Sequence, residues 1–351
     1  MLIPSIPSRP EDRRRAFDLI KNHLESLKHI EVKDYVYNDI PSLVALPKGV
    51  RKPEILLCGH VDVISHPDIG AYHSKIEGRR IIGPGAGDMK GALAILLEVF
   101  RTVHARSEKV SLGLVVTSDE ETGGQYGIGH LIAKQGLRCK KAMIPDGGSL
   151  TELTTEEKGI LHAKISVRGK EAHGARPWLG DNPIERLMTR LNQLRLAFEE
   201  LRGVDEHWYP TCAITMMGTE NQQINRIPSD AYAVLDIRFP APFTLKEMTR
   251  KIQEILGQDI FFETIIAAEP TKFPLDEDFE RVTREVTGQT PKTVRDDGGS
   301  DARFFSEHGI PVIISRPLVG NLHATDEWVD IDSMNQLYRI YERYLIEKLT
   351  S

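Results

Sequence analysis

Three short apolar runs in this chain each stop at a residue able to ligate a metal, and that pattern limits the fold more than any other feature. EILLC (54–58) runs into Gly59-His60, VSLGLVVT (110–117) into Ser118-Asp119-Glu120-Glu121, and AMIPD (142–146) ends on Asp146. Runs of this length and composition read as buried strands. Helical patterns separate them: residues 90–105 (KGALAILLEVFRTVHA) and residues 125–136. An amphipathic helix over 11–29 precedes them, with Phe17, Ile20, Leu24 and Leu27 at helical spacing. Strands alternating with helices predict an α/β domain with a mostly parallel sheet. Ligands of such sheets sit beyond the carboxyl ends of the strands, so residues far apart in sequence converge there.

The texture changes after about residue 158. ILHAKISVRG alternates apolar and polar residues, as a half-exposed antiparallel strand does. A long amphipathic helix (NPIERLMTRLNQLRLAFEEL), two strands (TCAITMMGT, DAYAVLDIRF), a second helix (TLKEMTRKIQEIL) and a last strand (IFFETIIAA) follow. The order β-α-β-β-α-β is that of a ferredoxin-like module. TPKTVRDDGGSDARFFSEHGIPVIIS then returns to α/β texture, so the module reads as an insertion. The expected division is residues 1–157 with 268–351, interrupted by 158–267.

The chain's 351 residues suffice for two such domains. A net charge of −6 argues against nucleic acid or anionic membranes as partners, and no segment has the length of an apolar span. MLIPSIPSRPEDRRR lacks the basic and apolar regions of a signal peptide. Cys58, Cys139 and Cys212 are scattered, without CxxC spacing. Reduced thiols in a cytoplasmic protein are the expectation.

His60, Asp88 in GPGAGDMKGA, Glu121, Asp146 and His323 in GNLHATDEW form one constellation. Singly, each has an ordinary structural role: a turn histidine, an N-cap aspartate, an acidic turn, a loop histidine. Together they offer one carboxylate to bridge two zinc ions, and an imidazole plus a carboxylate to complete each. Alternation aims Asp62 the same way as His60, where it can orient the ring. Glu120 is a spare carboxylate able to act as a base. The constellation suits metal-assisted amide hydrolysis.

At GHVDV, GPGAGDMKGA, SDEETGG, PDGG, GKEAHGARP, NRIPSDAYAVLDIR, GGSDARFF and LHATDEW the chain resembles the M20 family of metallopeptidases, in family order over nearly its whole length. That family includes carboxypeptidases, dipeptidases, aminoacylases, acetylornithine deacetylase and succinyl-diaminopimelate desuccinylase. The related M28 aminopeptidases lack the inserted domain. The resemblance implies a zinc-peptidase-like three-layer α/β catalytic domain with an inserted ferredoxin-like lid or dimerisation domain. It also implies two Zn2+ per chain, with Co2+ or Mn2+ as substitutes. Asp88 would bridge them, His60 and Asp146 completing one ion, Glu121 and His323 the other. Glu120 would be the general base and Asp62 would hold His60. His173 matches a histidine that reaches the partner subunit's active site in dimeric members, where it can stabilise an oxyanion. Asn225 matches a substrate-binding asparagine. Arg303, with Gly299 and Ser300 beside it, matches an arginine that binds a substrate carboxylate, or else forms a structural ion pair with Asp301 or Asp297. Arg238 reads as structural. The Asp88–Met89 peptide would be cis.

The expected substrate is a small peptide or N-acyl amino acid. Asp146, where several deacylases carry Glu, leans narrowly toward a peptidase of carboxypeptidase or dipeptidase type. An N-acyl-amino-acid deacylase is the alternative, and a non-catalytic dimeric binding protein a remote one. The inserted domain suggests a homodimer paired through ISVRG or a helix.

Overall fold

The computed structural model describes residues 3–205 and 207–350. They form two compact units: Glu156–Thr271 with Asp297–Gly299, and the remainder of the chain.

The larger unit is built on a six-stranded sheet. Its strands β1 (Ile30–Tyr37), β2 (Ile40–Pro47), β3 (Ile55–His60), β4 (Leu112–Thr117) and β5 (Lys141–Ile144), with Val312–Ile314, lie in the order β1-β2-β4-β3-β5-(312–314). The last four run parallel; β1 and β2 form an antiparallel hairpin along one edge. This hairpin is absent from the motif-based reading. The local signal is present in IEVKDYVY-ND-IPSLVALP: Asn38 and Asp39 take positive φ (50° and 60°), as a two-residue hairpin turn requires.

Helices cover both faces. Ile55 and Leu57 of β3 pack with α1 (Pro10–Leu24), α2 (Gly91–Arg106) and the C-terminal helix Ile331–Leu349. Leu56 and Cys58, pointing the other way, pack with α3 (Ile128–Ala133) and the short helix Ala302–Ser306. Helix α2 forms because Ala92, Ile95, Leu96, Val99, Phe100 and Val103 recur on one face, all buried. Cys58 and Cys139 are buried and unbridged. The chain passes from β3 to β4 on one side and then to β5 on the other. Such a reversal leaves a crevice at the carboxyl end of β3, where His60 stands.

The smaller unit follows the order β6 (Gly159–Arg168), α4 (Pro183–Glu199), β7 (Thr211–Gly218), β8 (Asp230–Phe239), α5 (Leu245–Leu256), β9 (Phe261–Ala268). Its antiparallel sheet is ordered β7-β8-β6-β9. Both helices pack on one face, so β8 alternates strictly between buried and half-exposed residues. On the other face Arg238 bonds Asp236 (Nε–Oδ1 2.6 Å), and both approach His162, a structural ion cluster within this unit. One expectation is corrected here. ISVRG belongs to β6, which is paired on both sides and has no free edge for a second copy; the edges are β7 and β9.

Candidate metal centre

The larger unit gathers His60, Asp88, Glu121, Asp146 and His323 into two overlapping groups. His60, Asp88 and Asp146 form one, and Asp88, Glu121 and His323 the other; within each group the ligand atoms lie within 4.8 Å of one another. His60 ends β3, Glu121 lies in the turn after β4 and Asp146 in the turn after β5. Asp88 comes from the loop before α2 and His323 from the loop after Val312–Ile314.

Local backbone explains these positions. Gly85 (φ 80°) opens the Asp88 loop, and a Cβ there would lie 2.4 Å from Val63 Cγ1. Gly148 (φ 61°) turns the chain after Asp146, and its Cβ would fall 2.0 Å from the Glu152 carbonyl oxygen. His323 itself adopts φ 65°, a conformation a non-glycine residue holds only where its surroundings enforce it. The Asp88–Met89 peptide is cis.

Asp88 receives both imidazoles: His60 Nε2 lies 3.2 Å from Oδ1, His323 Nε2 3.3 Å from Oδ2. His323 Nε2 is also 3.4 Å from Glu121 Oε2. On its far side, His60 Nδ1 faces Asp62, 3.1 Å from the backbone oxygen and 3.4 Å from Oδ1. Asp62 Oδ2 also accepts from the Glu121 amide at 3.0 Å, so one fully buried carboxylate steadies two cluster residues. Glu120 belongs to neither group, yet its Oε2 is 3.9 Å from His60 Nε2.

The electrostatics are those of a site made for cations. Burial, reinforced by the charge of Asp88, raises the Asp146 carboxyl to about 7. Burial and Asp146 push Glu120 well above the ordinary carboxylate range, and burial raises Glu121. Asp88 is driven the other way: burial opposes its ionisation, but hydrogen bonds from His323 and His60 pull it down. Bonds to Asp88 and Glu121 lift His323 to about 10. Four carboxylates crowded this way resist ionising together. Divalent cations remove that conflict, and mixed imidazole and carboxylate donors suit zinc and its neighbours in the first transition row. The residues therefore fit the metal ions that the sequence implies.

A supporting residue escaped the sequence reading. Glu327, buried, accepts from the amides of Gly87 (2.7 Å) and Asp88 (2.8 Å), and the His323 amide lies 3.4 Å from its other oxygen. It joins the loop carrying Asp88 to the loop carrying His323. The acid lies within the motif LHATDEW, but nothing local shows that it reaches position 88.

Other expected residues fall elsewhere. Arg303 is buried, donates to the Gly123 carbonyl and stacks 4.6 Å from the Phe304 ring centre. That departs from the expectation of an arginine open to a substrate carboxylate. Packing of Ala302–Ser306 against the sheet turns this side chain inward. Ser300 is also buried, and its Oγ accepts from the Ala302 amide at 3.3 Å; Gly299 has Ile160 against it, 2.8 Å from a built Cβ. In the smaller unit, exposed His173 and Asn225 share a groove of about 360 Å³ with Gln223 and Arg226. The Gly174 amide bonds the Asn225 carbonyl at 2.7 Å and the Ala175 amide bonds His173 Nδ1 at 3.0 Å.

Paired acid–imidazole groups at the carboxyl end of a parallel sheet define a metal-dependent hydrolase. Residues 56–347 match Peptidase family M20/M25/M40, and the chain belongs to that family. It is similar to the succinyl-diaminopimelate desuccinylase of Gluconobacter oxydans, 30% identical over 329 residues (87% of this chain, 84% of the relative). A desuccinylase of Magnetococcus marinus is 26% identical, covering 95% of this chain and 92% of its own. Among solved structures, the M20 family metallo-carboxypeptidase Sso-CP2 of Sulfolobus solfataricus superposes with a TM-score of 0.79 at 17% identity (98% and 96% covered). Human carnosine dipeptidase 1 does so with 0.74 at 14% (99% and 94% covered). These likenesses place the fold in the family. No described helix is long and apolar enough to cross a membrane.

Proposed function

We propose that this protein removes the acyl group from a small N-acyl amino acid bearing a free carboxylate, using two divalent metal ions, zinc first. The observation that carries the reading is Glu120: a half-buried carboxylate beside the two groups that share Asp88 and a member of neither. His60, Asp88 and Asp146 would hold one ion, and Asp88, Glu121 and His323 the other. Bound there, the ions supply Lewis-acid polarisation of the scissile carbonyl and acidify water. Glu120 accepts the proton of the attacking water at Oε and returns it to the leaving nitrogen. Asp62 fixes the His60 ring. His173 and Asn225 are assigned to the acyl substrate and its oxyanion.

The deacylase subclass draws on the named relatives at 26–30% identity. Asp146 favours a second reading, a carboxypeptidase or dipeptidase, because that position carries Asp in peptidases of the family. The smaller unit is assigned as lid and dimerisation module, pairing through edge strand β7, where Ile214, Met216 and Met217 are about half exposed. We place the enzyme in the cytoplasm.

Zinc-loaded protein incubated with N-succinyl- and N-acetyl-amino acids and dipeptides, products read by mass spectrometry, tests this. Wild type is expected to release amine from acyl substrates. Glu120→Ala should lose at least about 100-fold in kcat with its metal retained. Cleavage of dipeptides alone would move the assignment to peptidase. An undiminished Glu120→Ala would sink the mechanism.

A further inference from the structure

Among the described residues one guanidinium pairs with the carboxylate cluster, and it is not that of Arg303. Among the described residues, Arg316 is the only Arg or Lys paired with a carboxylate of the two groups or with Glu120: its Nη1 lies 4.0 Å from Asp146 Oδ1. Two other cations of the larger unit are engaged elsewhere. Lys90 places its ammonium on the Ile3 carbonyl at 2.6 Å, and Arg303 donates to Gly123. Arg316 Nε donates to the Gly148 carbonyl at 3.3 Å, which anchors the side chain at the turn carrying Asp146. That contact and the 4.0 Å approach leave its other guanidinium donors available. Its side chain is 16% exposed, more open than buried Arg303.

The geometry points to Arg316 as the residue that binds the substrate carboxylate nearest the scissile bond and so selects carboxylate-bearing substrates; this rests on the hydrolase reading above. Bond lengths set the scale. In an N-acyl amino acid the α-carboxylate carbon stands three bonds from the scissile carbonyl carbon, roughly 3–4 Å away. In an N-succinyl compound the distal carboxylate carbon is also three bonds away, at a similar distance. Either places a carboxylate within reach of a guanidinium held beside Asp146. A planar guanidinium binds both oxygens of a carboxylate at once, whereas lysine presents a point charge. The shared chemistry is a carboxylate three bonds from the scissile carbon; the acyl side and the amine side are its two possible sources.

The test is equilibrium binding by calorimetry to the zinc-loaded full chain in a Glu120→Gln background, so that no compound is consumed. Four ligands serve: N-succinyl- and N-butyryl-alanine, each as free acid and as amide. The anchored carboxylate is expected to be worth about 30-fold in affinity. A gap between succinyl and butyryl places it on the acyl side, a gap between acid and amide on the amine side. Arg316→Gln should erase that gap without changing zinc content by atomic emission, and Arg316→Lys should restore part of it. A gap that survives Arg316→Gln overturns the assignment, as do equal or absent affinities for all four ligands in the parent. Loss of zinc in Arg316→Gln with the gap preserved at each loaded site also overturns it, leaving Arg316 as a prop for Asp146. Wild-type turnover with Glu120 intact judges the hydrolase reading separately.

Discussion

The two units solve the problem of burying a sheet in opposite ways. In the larger one, helices cover both faces, and β3 and β4 are buried at every position. Polar groups have no place along such strands, so they collect where the strands stop: His60, Glu120, Glu121 and Asp146. In the smaller unit, helices cover one face. Polar residues then spread along the other, as in the His162–Asp236–Arg238 cluster, and apolar ones remain on an edge, as with Ile214 and Met216. A doubly covered sheet concentrates chemistry at its ends, while a singly covered one offers surface for another molecule.

The strongest way to break this contrast is to remove what holds the buried charges. Glu327→Ala leaves the amides of Gly87 and Asp88 without their acceptor, each at a cost of about 1–3 kcal/mol. A clear fall in melting temperature and a 10- to 100-fold loss in metal affinity are expected, read by calorimetry and metal titration. An unchanged metal affinity would show that the Asp88 loop stands without it.

A smaller effect tests whether full coverage penalises polar groups away from the strand ends. His104, on α2, is buried against Phe100; its Nε2 donates to the Leu112 carbonyl at 3.1 Å and its Nδ1 accepts from His29, which in turn faces Glu108. Burial lowers its pKa to about 4. The unfolded chain, with an ordinary imidazole near 6.5, takes up the proton first as pH falls. The His104 contribution is therefore complete above about pH 6.5 and lost toward pH 4, by up to about 3 kcal/mol. Urea unfolding at a series of pH values should show that slope in the wild type and a shallower one in His104→Phe. Parallel slopes would remove His104 as the cause.

The smallest effect on protomer stability belongs to the open sheet. Ile214→Lys with Met216→Lys on β7 is expected to change unfolding free energy by about 0.5 kcal/mol or less, since both side chains are exposed. The same pair should convert the proposed dimer to a monomer in light scattering. A mass unaltered by the substitutions would direct attention to β9, the other edge.

Much of the architecture was legible because it is periodic. Alternating strands and helices revealed the parallel sheet, and the βαββαβ order revealed the inserted module, each residue's environment being repeated at fixed spacing. The hairpin β1–β2 is equally local, but its strands carry none of the candidate ligands. Four of the five candidate ligands could be read because each ends an apolar run or opens a glycine-rich turn; His323 was legible through its place in the motif LHATDEW. Glu327 could not, since the Gly87 and Asp88 amides it holds lie about 240 positions away. Arg303 and Arg316 look alike as letters; packing buries the first and leaves the second beside Asp146.

By itself, then, the sequence determined which residues are apolar, at what period, and where the polar stops fall. Those are properties of neighbours along the chain. Only the tertiary structure decided which strand has a free edge, which arginine meets the cluster and which acid supports Asp88. Exposure and pairing depend on residues brought together by packing, and no local pattern carries that information.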